Sequence, residues 1–183
     1  MAWREIIYQY DGSFDGLLCC VFESYTQKER PTAILRDGDD EPSLFEIRAV
    51  ATDRVHAQRI YRSLYKRSLE AGPFLRRAVL TCMPDKEMSI YRFIAKFYRE
   101  GPALLSRLSD DTYLPLLRAV RLLSGEVEQF RSFTRFSDID GVLGAEIEPK
   151  NRVLPMLRRH FCERYRYETF FLYDRTHREA LLY

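Results

Sequence analysis

"IIYQYDGSFDGLLCCVFESY", residues 6–25, changes its hydrophobic period half-way along, and that change decides the fold class. Ile6 to Tyr10 is β-branched and aromatic, the composition of a short buried strand, and Asp11-Gly12 breaks it. From Ser13 onward Phe14, Leu17, Leu18, Val21 and Phe22 stand at i, i+3, i+4, i+7 and i+8, the apolar face of a helix ending near Gln27. Ser13 or Asp11 is placed to cap that helix, whose N-terminus offers backbone N–H groups to an anion.

The same alternation of periods continues outward. After Pro31, Thr32 to Leu35 predicts a second strand, followed by an acidic loop from Asp37 to Pro42 and a third strand over Leu44 to Ala51. The middle is helical: Asp53 to Glu70 closed by Ala71-Gly72-Pro73, Phe74 to Met83 closed by Pro84, and Lys86 to Glu100 closed by Gly101-Pro102. Thr112 to Phe130 carries one apolar stripe through Tyr113, Leu116, Val120, Leu123 and Val127. Beyond Arg131 the period returns to two, with a strand over Phe133 to Phe136, a turn over Asp138 to Gly141 and a partner strand over Val142 to Ile147. Asn151 then caps a helix to about Tyr165, with Pro155 tolerated in its first turn, and Glu168 to Tyr173 and Ala180 to Tyr183 are strand-like. The order predicts an α+β protein packed as a single domain over 1–183: a β-α-β-β part over 1–52, a helical part over 53–130 and a β-β-α-β part over 131–183.

Composition narrows the class of function. With 46% hydrophobic and 31% charged residues the chain has the balance of a folded protein rather than a disordered one. It has no apolar run near the roughly 18 residues of a membrane span and no basic stretch before an apolar core at its start, so a cytoplasmic protein without a membrane partner is expected. Cys19 and Cys20, adjacent in an apolar run, suit buried thiols, and neither they nor Cys82 and Cys162 form a metal-binding or cluster motif. No metal and no cofactor are therefore expected on this chain; it also lacks the glycine-rich loops that cradle nucleotide phosphates.

The net charge of +2 is unevenly spread. Residues 48–107 carry 13 basic against 5 acidic side chains, and 149–183 carry 8 against 4, while the segments before each are acidic. Within the first basic segment Arg59, Arg62 and Lys66 share one helix face, as do Arg92, Lys96 and Arg99. Such faces serve either as contacts to phosphates or as a solvated surface. Near the end, His160 and Arg164 lie four apart on a helix with Phe161 toward the core, an arrangement that suits proton transfer, a phosphate grip, or a histidine bonded to a backbone carbonyl in a packed interface.

Four blocks, "YDGSFDGLLCCVFESY" at 10–25, "FTRF" at 133–136, "AEIEPKNRVLPMLRRHFCERY" at 145–165 and "YDRTHREALLY" at 173–183, together resemble a bacterial family of unknown function linked to DNA metabolism. The resemblance covers nearly the whole chain. Its members accompany a radical-SAM protein similar to spore photoproduct lyase, and some are fused to a uracil-DNA glycosylase domain. By position, Tyr10, Asp11, Gly12, Ser13 and Phe14 match the first block, Arg135 and Phe136 the second, His160, Phe161 and Arg164 the third, and Asp174 and Arg178 the fourth. Where the family tends to carry a histidine and a basic residue before the second block, this chain has Glu128-Gln129.

The resemblance implies a setting in DNA modification or repair, with the iron-sulfur cluster and S-adenosylmethionine on the partner. The expected function is that of an accessory protein that binds nucleic acid, docks the radical-SAM enzyme, or both. One alternative is an enzyme acting on a nucleotide or damaged base, with Asp11, Ser13, Arg135, His160 and Arg164 in one pocket and His160, Ser13 and Asp11 as its candidate catalytic groups. Another is a protein-protein interaction module without a ligand of its own.

Overall fold

The computed structural model describes residues 3–39 and 44–183. β1 (Arg4–Tyr10) passes through Asp11-Gly12-Ser13 into α1 (Phe14–Gln27), and β2 (Glu29–Arg36) pairs parallel to β1. β3 (Ile47–Ala49) pairs parallel on the other side, giving a sheet ordered β2-β1-β3. Ile6, Ile7 and Tyr8 are consecutive and all buried, the mark of a central parallel strand covered on both faces. α1 is buried continuously from Gly16 to Val21 because it packs against β1 and β2 as well as the helices that follow.

The chain continues through α2 (Arg54–Arg67), α3 (Ala71–Val79), α4 (Lys86–Glu100) and α5 (Tyr113–Phe133), of which α2 and α4 pack on α1, with a short 3-10 turn at Pro102–Ser106. Asp53 caps α2 by accepting from the backbone N–H groups of Val55 at 2.7 Å and His56 at 3.0 Å. The second sheet holds β4 (Ser137–Ile139), β5 (Val142–Ile147), β6 (Phe170–Asp174) and β7 (Glu179–Leu182) in that order. β5 and β6 are parallel and joined through α6 (Leu154–Arg164), while β4 and β7 close the two sides as antiparallel hairpins. The class is α+β, as the order of elements predicts. No helix among the described residues is long and apolar enough to cross a membrane.

Two compact units divide the chain, Met1–Val79 with Pro84–Leu116 and Leu80–Met83 with Leu117–Tyr183. In the first, two buried tyrosines each meet a carboxylate and an arginine. Tyr8 Oη donates to Glu29 at 2.9 Å, and Arg48 donates to the same carboxylate at 2.9 Å. Tyr10 Oη donates to Glu87 at 3.3 Å, and the Arg36 guanidinium grips Glu87 at 2.8 Å. Glu87 lies in the first turn of α4, so this group ties the helix to β1 and β2. In the second unit Leu123, Val127, Ile147, Leu157, Phe161 and Phe170 form the core.

Several element boundaries differ from the sequence expectation for local reasons. Ala71-Gly72-Pro73 opens α3 rather than closing α2, since proline costs no hydrogen bond in a first helical turn. α2 ends three residues earlier than expected, at Arg67, and α3 stops at Val79, four short. Phe133 closes α5, and Phe136 packs against Phe161, Tyr165 and Phe170, so the strand expected over Phe133 to Phe136 forms at Ser137–Ile139. Its turn is the two-residue Asp140-Gly141, both at positive φ, which matches the twist of paired strands. The third strand is confined to Ile47–Ala49, and Asp40 to Pro42 of the expected acidic loop lie outside the described residues.

Asn151 does not cap α6; Val153 holds that position with no side-chain bond. Asn151 is instead buried, accepting from Cys82 N at 2.9 Å and donating through Nδ2 to Glu126 at 2.6 Å. Glu126 also accepts from the backbone N–H groups of Lys150 and Asn151, at 2.7 and 2.9 Å. Replacing Asn151 with Ala strands the Cys82 N–H without a partner, and urea unfolding is expected to show a loss of about 1–3 kcal/mol; a loss below about 0.5 kcal/mol would mean that the network contributes little.

Candidate nucleic-acid interface

The turn after β1 brings three predicted site residues together. Ser13 is the N-cap of α1, its hydroxyl accepting from Gly16 N at 2.9 Å. Asp11 accepts from Ser13 N at 2.9 Å and from the Thr52 hydroxyl at 2.7 Å. Partial burial opposes ionisation of its carboxyl, but the bonds from Ser13 and Thr52 outweigh that and hold it below its ordinary value of 3.8. Tyr10 is almost fully buried, which together with the adjacent Glu87 charge raises its phenol well above the ordinary range. Capping and turn formation thus occupy both Asp11 and Ser13. Gly16 permits the arrangement, because a Cβ there would stand 2.3 Å from Asp11 Oδ1 and 2.7 Å from Thr52 Oγ1.

The remaining matched residues lie in the second unit. Arg135 is exposed in the segment between α5 and β4, and Arg164 is exposed with its guanidinium 5.5 Å from the Tyr165 ring centre. His160 packs edge-on to Phe161, and its Nε2 is buried without a hydrogen-bond partner, as are Arg131 Nε and Thr134 Oγ1. Arg131 pairs with Glu128 at 2.6 Å and donates to the Met156 carbonyl, so Glu128 serves an ion pair on its own helix. Asp174 is fully buried, accepts from His177 N at 3.0 Å, and has its Oδ2 2.7 Å from His177 Nδ1. The sequence signal for His177 is its place three residues after Asp174, where an aspartate closes a turn. Arg178 is exposed at positive φ in that turn. The five residues of the enzyme alternative divide between the units, with Asp11 and Ser13 in the first and Arg135, His160 and Arg164 in the second.

The basic helix faces are both in the first unit. On α2, Arg59, Arg62 and Lys66 are exposed; the Arg59 guanidinium stands 5.7 Å from the Phe22 ring centre, and Arg62 bonds Gln58. On α4, Arg92, Lys96 and Arg99 line a cleft of about 740 Å3 opposite the edge strand β2. Arg30 of β2 adds a fourth cation, against the carboxylates of Glu5 and Asp111, and Trp3, Tyr25 and Tyr91 supply aromatic surface.

The four cations are not equivalent. Lys96 is held by Asp110 at 2.7 Å and Asp111 at 3.0 Å, and these bonds raise its ammonium above the ordinary value. Burial of Asp110 pushes its carboxyl up, but hydrogen bonds from Lys96 and Thr112 prevail and lower it strongly. Arg99 pairs with Glu100 at 2.9 Å. Arg30 and Arg92 have no ion-pair partner among the described residues, so their charge is available to an anion. The α4 face is legible from its spacing, whereas Arg30 reaches the cleft through the pairing of β2 beside β1 and Tyr25 through the packing of α1.

Fold and site define an α+β protein whose first unit carries a cationic cleft flanked by aromatic rings. Residues 84–183 match the family described as a domain of unknown function, DUF4130, and the chain belongs to it. The match begins two residues before α4 and takes in the Arg92, Lys96 and Arg99 wall. Comparison with curated proteins and with solved structures finds no match.

Two outcomes test the β1 turn. Because the Asp11 carboxyl lies lower in the folded chain than unfolded, its ionisation contributes stability that is complete above the ordinary value of 3.8 and is lost as pH falls through the folded value. The stability gap between the native chain and Asp11→Asn is therefore expected to shrink as pH is lowered through that range, and a gap independent of pH would contradict it. Gly16→Ala is expected to cost about 1–3 kcal/mol in urea unfolding through the crowding of Asp11 and Thr52.

Proposed function

We propose that this protein is an accessory subunit in DNA modification or repair that binds nucleic acid through the first-unit cleft and works beside a radical-SAM enzyme. The observation that carries the nucleic-acid part is the cleft itself, where Arg30, Arg92, Lys96 and Arg99 face two carboxylates and three aromatic residues. Arginines without intramolecular partners are the groups best able to grip phosphate oxygens in a planar, two-pronged way. The role beside a radical-SAM enzyme rests on the four sequence blocks and their resemblance to proteins found with such partners. On this reading the partner carries the iron-sulfur cluster and S-adenosylmethionine, and this chain contributes binding and positioning.

Phosphate contacts release counterions, so affinity for DNA is expected to fall steeply as salt is raised. Arg30→Ala and Arg92→Ala are each expected to weaken binding and to lower the salt slope by about 1. A titration with the chain alone and with the radical-SAM protein present measures both. Binding indifferent to salt, or no binding in either condition, would exclude the proposal.

A further inference from the structure

We infer that the first-unit cleft takes a single strand, with an unpaired base stacked on Trp3 or Tyr25 while Arg30 and Arg92 hold the adjoining phosphates. This deepens the nucleic-acid reading above and rests on it. Trp3 and Tyr25 are each 43% exposed, high for the two large rings that line a concave surface. They meet edge to face, with centres 5.7 Å apart and planes at 87°, and Tyr25 also meets Tyr98 edge to face at 6.1 Å, so the exposed part of each ring is the surface on which a base would stack. Tyr91, by contrast, is 8% exposed and its hydroxyl bonds Ser24 at 3.1 Å, which makes it part of the wall.

A duplex keeps its bases stacked and paired, so it would engage the cations of the cleft and leave the rings unused. An unpaired strand would engage both, and base stacking on aromatic side chains is the principal non-ionic term in single-strand binding. The cleft volume of about 740 Å3 is of the size that encloses a small ligand, enough to receive a base with its sugar and phosphate. Glu5 and Asp111 also line it; Asp111 is engaged by Lys96, and Glu5 is exposed. Lys96 and Arg99 are paired with carboxylates of their own unit, so Arg30 and Arg92 are the cations of the cleft open to a strand's phosphates.

Trp3 is the chain's single tryptophan, so its emission reports directly on this site. The full chain would be titrated with an oligothymidylate of about 10 nucleotides, the matching duplex, an abasic strand of the same length, and thymidine monophosphate. Expected is quenching of Trp3 by the oligothymidylate, with the duplex and the abasic strand binding at least about tenfold more weakly and leaving emission unchanged. By anisotropy of a labelled oligothymidylate, Trp3→Ala or Tyr25→Ala should weaken binding about 5- to 150-fold, with Trp3→Phe recovering much of the loss. Equal affinity for strand, duplex and abasic strand would overturn this inference and leave the wider nucleic-acid reading standing. Equal affinity for the monophosphate and the strand would overturn it in favour of a free nucleotide, and no binding of any of the polymers at low salt, with the chain alone and with the radical-SAM protein present, would remove both readings.

Discussion

The carboxylate of Glu87 is the point on which the first unit turns. It receives the Arg36 guanidinium from β2 and the Tyr10 hydroxyl from β1, and it does so from the first turn of α4. A negative charge near a helix N-terminus is favoured by the helix dipole, so one group serves the helix and the sheet together. Ser24 and Tyr91 add a second tie between α1 and α4. With α4 held in this way, the side chains that leave it at four-residue and three-residue intervals must emerge along the β2 edge. The cleft is the consequence of that anchoring as much as of the residues that line it.

β2 is suited to its part. As an edge strand it can carry Pro31, which a central strand would not tolerate, and its neighbours Arg30 and Thr32 line the cleft with it. The Tyr8, Glu29 and Arg48 group fixes the start of β2 beside β1 and β3, so the segment just before the cleft is constrained by a buried, fully bonded carboxylate. The turn at Asp11 does the same at the other end of β1, joining the strand end, the cap of α1 and Thr52, which precedes α2. Polar groups, buried at Tyr8 and Glu29 and exposed at Asp11 and Thr52, thus set the geometry, and the apolar residues of β1 and α1 supply the burial that holds it.

Much of the architecture was legible because local signals and tertiary contacts agree. The end of α1 at Gln27, the whole of α4 from Lys86 to Glu100 and the start of α2 at Asp53 follow from periodicity and stop signals alone, while the cap of α1, open between Ser13 and Asp11 in the sequence, is Ser13. The departures are places where one residue type permits two readings. Gly72-Pro73 can end a helix or start one, and Asn151 can cap a helix or satisfy a buried network. Only the neighbours decide, Glu126 and Cys82 in the case of Asn151. For the candidate site, spacing on one helix revealed Arg92, Lys96 and Arg99, while Trp3 and Arg30 come from far away in sequence and depend on strand pairing. Asp174 stands out by the resemblance, and the spacing of three residues to His177 is the sequence trace of the pair that the turn between β6 and β7 closes.

The ion pairs of Lys96 and Arg99 have a consequence for the resting protein. Four like charges facing one concavity repel one another, and that repulsion would work against the packing of α4 on the sheet. Asp110, Asp111 and Glu100 compensate two of the four from the same unit. Half of the cleft's cations are thereby neutralised internally, while Arg30 and Arg92 stay uncompensated. The first unit in this way carries an attractive surface whose self-repulsion is kept within what its own fold can bear.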